Sequence, residues 1–191
     1  MRKISFLITV MFTSLSLLLT ACGGGQSTEE GHPHTEVPVE TAEIVYEPGA
    51  WMNMTLTDAR TGAEFKLSDY NGKTVILEMM DPGCPVCSVQ VKEVAAALDA
   101  IGDKAVAVSV DVMGKGKSSQ VAWADKYGAT WAITQMPNDF GQALIAEFGV
   151  KIIYPGDTPV IVIDPSGMAH VTDRGIKKSA TLVELVNQWT Q

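Results

Sequence analysis

The stretch Thr74-Val75-Ile76-Leu77-Glu78-Met79, followed at once by Met80-Asp81-Pro82-Gly83-Cys84-Pro85-Val86-Cys87, carries the reading of the fold. Its first six residues are an almost continuous apolar run rich in β-branched side chains, which predicts a central strand buried on both faces. Beyond the cysteines, Val86, Val91, Val94, Ala95, Leu98 and Ile101 recur at helical spacing and stop at Gly102, which predicts a helix from Val86 to Ile101. A strand thus runs into a helix with two cysteines at the junction.

The alternation continues on both sides. Upstream, Met54–Thr57 and Glu64–Leu67 flank the turn-like Asp58-Ala59-Arg60-Thr61-Gly62 and read as a hairpin. Downstream, Ala105–Val110 reads as a strand, Ser118–Tyr127 as a helix ending at Gly128, and Thr130–Ile133 as a short strand. Asn138 is placed to cap a helix reaching Phe148. Val160–Ile163, the turn Asp164-Pro165-Ser166-Gly167 and Met168–Thr172 form a second hairpin, and a last helix carries Leu182, Val183, Leu185, Val186 and Trp189. Strands that alternate with helices and end in a hairpin and a helix predict an α/β domain over residues 51–191, a mixed central sheet flanked by helices with an N-terminal hairpin as an extension.

The rest of the chain is of a different kind. Arg2 and Lys3 precede an apolar run from Ile4 to Leu19, too short and too often interrupted by Ser and Thr for a spanning helix, so residues 1–21 read as an export signal. The run ends in Leu19-Thr20-Ala21-Cys22, which resembles the bacterial lipobox, and that resemblance implies lipidation at Cys22 and a membrane anchor. Residues 22–50 are rich in Gly, Pro and Glu, with six glutamates and no Lys or Arg, and read as an extended acidic tether. The expected location is the cell envelope, anchored by lipid and facing the periplasm or the extracellular side. With 14 basic and 22 acidic side chains and a net charge of −8, the chain lacks the clustered cations of a nucleic-acid binder.

The chemistry concentrates at the junction. Cysteines three apart on a first helical turn face the same side, close enough for a disulfide. The unpaired N–H groups of the helix start stabilise a thiolate at Cys84 and lower its pKa, which makes Cys84 the nucleophile. Pro85 suits the first turn, where its missing N–H has no intrahelical partner, and Cys87, one turn deeper, is placed to resolve a mixed disulfide. A zinc half-site and a structural disulfide are the competing readings. Zinc wants four ligands, which leaves only His32, His34 and His170 to supplement the pair, and a loop this short gains little from closure. An exported chain in an oxidising compartment favours redox chemistry.

Together these features resemble the thioredoxin fold, in particular the membrane-tethered TlpA/ResA type of thiol-disulfide oxidoreductase within the redoxin (AhpC-TSA) superfamily. The resemblance rests on Leu67-Ser68-Asp69-Tyr70-Asn71-Gly72-Lys73, on the strand entering Cys84-Pro85-Val86-Cys87, on Val106–Asp111, and on Tyr154-Pro155-Gly156-Asp157-Thr158-Pro159 before Val160–Asp164. It implies that Pro159 is a cis-proline beside the dithiol and that the backbone at Thr158 is free to pair with an extended substrate, with Pro85 and Val86 on the same surface. It implies too that Glu78 is a buried acid that exchanges protons with the Cys87 thiol, burial raising its pKa. Gly83 stands where such proteins usually carry tryptophan. No cofactor or metal is expected beyond the redox-active Cys84–Cys87 disulfide. The expected partners are exported protein thiols and disulfides, with a membrane thiol partner as electron donor, and the expected direction is reduction of the client.

Two other functions fit the same outline. A thiol peroxidase places Thr or Ser three residues before its cysteine, where this chain has Asp81. A copper-delivery module would use the two thiolates with Met79 and Met80 as soft ligands, although such proteins space their cysteines one residue further apart. Gly114-Lys115-Gly116-Lys117-Ser118 ends like a phosphate loop but lacks the first glycine, and Trp123, Trp131 and Trp189 read as core.

Overall fold

A computed structural model describes residues 45–189. The export signal, Cys22 and nearly all of the tether lie outside the described residues. Strand β3 (Thr74–Met80) is buried along its whole length, as its apolar run requires. It pairs in parallel with β4 (Ala105–Asp111), with Glu78 opposite Ser109, and antiparallel with β6 (Val160–Ile163), with Glu78 opposite Val160. β5 (Ala132–Gln135) and β7 (Ala169–Val171) complete a mixed five-stranded sheet in the order β5-β4-β3-β6-β7. β1 (Leu56–Thr57) and β2 (Glu64–Phe65) form a separate antiparallel pair, the expected hairpin cut to two residues a side.

Side chains alternate across the sheet, so each face has its own core. Val75, Leu77 and Met79 meet Trp51, Leu56, Ile161 and the apolar side of helix α3 (Asn138–Phe148) at Phe140 and Leu144. Ile76, on the other face, meets Val94 and Ala97 of α1 (Pro85–Ile101) and Leu182 and Val186 of α4 (Ser179–Trp189). Helix α2 (Lys117–Tyr127) lies beside α1 and adds Trp123 and Ala124 to a third cluster with Met80, Cys87 and Val91.

Two local expectations are corrected. Asn138 is the first residue of α3, and Pro137 holds the cap position, so the helix starts without a side-chain cap. β5 begins at Ala132 rather than Thr130, because pairing with β4 sets its register, with Val108 opposite Ala132. Helix α1 stops where expected: Gly102 takes φ 70°, a left-handed angle that L side chains rarely adopt, and its N–H closes on the Leu98 carbonyl.

Candidate active site

Cys84 caps α1 and Pro85 occupies its first turn, the position where an absent N–H costs nothing. The Cys84 and Cys87 Cα atoms are 5.3 Å apart and the two are disulfide-bonded. The helix makes the pair unequal. Cys84 is half-buried, whereas Cys87 faces the core and is 2% exposed. The Cys87 N–H donates to the Cys84 sulfur at 3.4 Å, the only hydrogen-bond donor to either sulfur among the described residues. Pro85 and Val86 are exposed beside them.

The segment facing the dithiol is Pro155, at the start of a 3-10 turn over Pro155–Asp157. Its carbonyl oxygen lies 3.8 Å from the Cys84 sulfur and 3.5 Å from the Cys87 sulfur. The expected cis-proline is not present: among the described residues no peptide bond is cis, and Thr158 instead takes a left-handed conformation at φ 46°. Nor is the Thr158 backbone open to a substrate. Its N–H donates to the Pro155 carbonyl at 2.9 Å, its carbonyl accepts from Lys177 Nζ at 2.5 Å, and the residue is 2% exposed. Pro159 is likewise buried, its carbonyl accepting from Met79 N–H at 3.1 Å.

Glu78 is 1% exposed, and its place between Ile76 and Met80 puts it on the side of the sheet that α1 covers. Burial pushes its carboxyl up to about 7, against the opposing pull of a hydrogen bond that the Ser109 hydroxyl donates at 2.5 Å. The Trp131 indole N–H donates in turn to that hydroxyl at 2.8 Å. Glu78 shares the sheet face of Cys87, but Ser109 is its side-chain partner. Met79 and Met80 part company: Met79 packs in the opposite core with Trp51, and only Met80 lies with Cys87, so the ligand set that the alternative copper module would use is not brought together.

Sequence reasoning missed Lys177. The residue is 6% exposed, and its ammonium donates to the carbonyls of Thr158, Asp173 and Gly175. Its main chain is bound to Gln90 of α1, which donates from Nε2 to the Lys177 carbonyl at 3.2 Å and accepts the Lys177 N–H on Oε1 at 2.7 Å. Burial lowers the amine to about 8, with Asp173 and Asp157 pulling the other way. Lys177 therefore ties the turn that faces the dithiol to the helix that carries it. No local signal marks this role, since Lys177 sits in a polar segment that reads as solvated.

Among the described residues no group of three or more His, Cys, Asp or Glu side chains is placed to hold a metal ion, and no helix is long and apolar enough to cross a membrane.

Known proteins agree with this architecture. A DsbF homologue from Corynebacterium diphtheriae superposes with a TM-score of 0.59 at 18% identity, over 80% of this chain and 96% of that one. A thiol:disulfide interchange protein of the thioredoxin family from Chlorobium tepidum gives 0.58 at 16% identity, over 72% and 93%. A secreted Mycobacterium tuberculosis disulfide oxidoreductase gives 0.56 at 17% identity, over 72% and 97%. No curated protein matches the sequence. The AhpC/TSA family model matches residues 50–170, from the first turn before the hairpin to the last strand, and so takes in the sheet, the dithiol and Glu78. On a thioredoxin-like fold, the chain belongs to the AhpC/TSA family.

Proposed function

We propose that the protein is a thiol-disulfide oxidoreductase that reduces disulfides in exported proteins through Cys84 and Cys87. The observation that carries the reading is the unequal pair at the start of α1, one sulfur half-exposed and the other buried. The family match supports it, as do the structural neighbours, among them a disulfide oxidoreductase and a thiol:disulfide interchange protein.

In the dithiol state the Cys84 thiolate attacks one sulfur of a client disulfide, forming a mixed disulfide and expelling a client thiolate, which takes up a proton. The Cys87 thiol passes its proton to the Glu78 carboxylate, which lies on the same face of the sheet and is half-ionised near neutral pH. The Cys87 thiolate then attacks the Cys84 sulfur, closes the Cys84–Cys87 disulfide and releases the second client thiolate. Two electrons have passed to the client, and a membrane thiol partner restores the dithiol.

The surroundings of the sulfurs favour the reductant direction. A dithiol is a strong oxidant when its reduced thiolate is stabilised. Here a single N–H donates to Cys84, while the Pro155 carbonyl oxygen, 3.8 Å and 3.5 Å from the two sulfurs, opposes negative charge on them. The disulfide is thereby favoured over the thiolate. The signal-like residues 1–21 and Cys22 support an exported protein held at a membrane by lipid, and the acidic tether supports a domain that reaches its clients from there.

Two experiments test this reading. Dithiothreitol-driven reduction of insulin by the soluble domain is expected to proceed catalytically with the wild type and to stop with Cys84→Ser. The Cys87→Ala variant is expected to accumulate a mixed disulfide through Cys84. A wild type that neither accelerates insulin reduction nor forms a mixed disulfide overturns the proposal.

A further inference from the structure

Beside the dithiol lies a groove of about 440 Å³ that begins at Pro82 and Gly83, immediately before Cys84, and runs along α2 past Lys115, Trp123, Lys126 and Tyr127. Three features make it more than a surface dent. Trp123 lines the groove and is 4% exposed, yet its indole N–H is buried without an acceptor. An indole nitrogen only donates, and buried donors are nearly always paired, so this one lacks the acceptor its chemistry calls for.

The groove is also cationic, in a chain of net charge −8. Lys115 and Lys126 line it, and the Lys126 and Lys92 ammonium groups sit 5.1 Å and 5.5 Å from the centre of the Tyr127 ring. No lining residue is acidic. Each of the nearby carboxylates already has a partner, Asp81 at the Gly83 end of the groove itself. Asp81 accepts the Gly83 N–H at 2.9 Å and Asp125 pairs with Arg60 at 3.4 Å. Asp111 accepts the N–H groups of Met113 and Lys115 and the Gln120 amide, which pins the loop carrying Lys115 in place.

The third feature is position. Gly83 adjoins Cys84, so a client chain that leaves its reactive cysteine on this side, advancing about 3.3 Å per residue, would bring side chains one to three positions from that cysteine to the groove. Resting on the exchange reading above, we infer that the groove selects clients with an Asp or Glu close to the reactive cysteine. The carboxylate would lie between the Lys115 and Lys126 ammonium groups, and a small turn of the indole, whose N–H is closed off from the groove in this structure, would offer it the Trp123 N–H.

The test uses two disulfide-bonded peptides that differ only in Glu or Gln two residues from the cysteine, reduced by the dithiol form of the soluble domain. The Glu peptide is expected to have the higher kcat/KM, by about three- to tenfold at low salt, with the difference in KM and shrinking as salt is added. Lys115→Gln with Lys126→Gln, and separately Trp123→Phe, are expected to bring the ratio toward one. The ratio is the readout rather than the rate, and the paired lysine changes lie at the surface, so they report even if Trp123→Phe disturbs folding. Equal kcat/KM for the two peptides, or a preference that survives the lysine changes, overturns the inference and leaves disulfide exchange standing. Reduction of neither peptide overturns the exchange reading and this inference with it.

Discussion

Glu78 is held near neutrality because a charged carboxylate in the core has lost its water and recovers only the Ser109 hydroxyl. Its folded-state pKa, about 7, lies above the ordinary 4.5, so the folded protein binds the extra proton between those values. Stability from this group is complete below pH 4.5 and is lost as pH rises through 7, a difference of about 3 kcal/mol. Glu78→Gln is expected to flatten that part of the stability profile, as urea unfolding between pH 4.5 and 8 will register. The same substitution is expected to slow insulin reduction by about 10²-fold, the usual scale of a lost general base, and to remove the rate's dependence on a group near pH 7. Lys177 acts on the site through the backbone. Lys177→Met leaves the buried carbonyl of Thr158 without its donor, along with those of Asp173 and Gly175, at about 1–3 kcal/mol for a buried group so stranded. A lower urea midpoint, together with slower resolution of the mixed disulfide, is the expected pair of effects. A lower midpoint with unchanged resolution would reduce Lys177 to a stability role.

Among the elements, β3 and α1 were legible because each has a strong local signal: an apolar β-branched run for the strand, helical spacing and Gly102 for the helix. The hairpin was legible in place but not in length. Its strands β1 and β2 are separate from the main sheet, and what holds them is Arg60, which donates to the carbonyls of Trp131 at 2.8 Å and of Ala129. Ala59 N–H adds a bond to the Ile133 carbonyl at 2.7 Å. Arg60→Ala is expected to cost about 1–3 kcal/mol and to speed amide exchange in β1 and β2 more than in β3. Equal acceleration in all three strands would show that the hairpin opens only with the whole fold. The 3-10 turns at Val150–Ile153 and Pro155–Asp157 carried no periodic signal, which is why the residue facing the sulfurs, Pro155, was missed in favour of Thr158 and Pro159. The family pattern pointed to the right loop. Placing the contact within it depends on the Lys177 tie, which joins residues far apart in sequence and leaves no trace in either segment.

For the molecule as a whole, redox state and stability are linked. A dithiol that reduces its clients is one whose disulfide stabilises the native fold, each 30 mV below the unfolded chain's potential being worth about 1.4 kcal/mol. The oxidised domain is therefore expected to unfold at a higher urea concentration than the reduced domain, with the same denaturant slope. The reverse order would mark an oxidant, whose reduced form is the more stable. What the sequence made legible at this scale was the α/β architecture and the position of the dithiol at the junction of β3 and α1. The direction of electron flow was not legible, because it depends on which groups surround two sulfur atoms, and those that touch them come from the Pro155 turn and from α1 itself. The most direct measurement is the reduction potential of the Cys84–Cys87 pair in the soluble domain, by equilibration with dithiothreitol and glutathione buffers. A value near −270 mV, that of thioredoxin, is expected for a reductant of exported proteins, and a value near −120 mV, that of a strong oxidant, would contradict it.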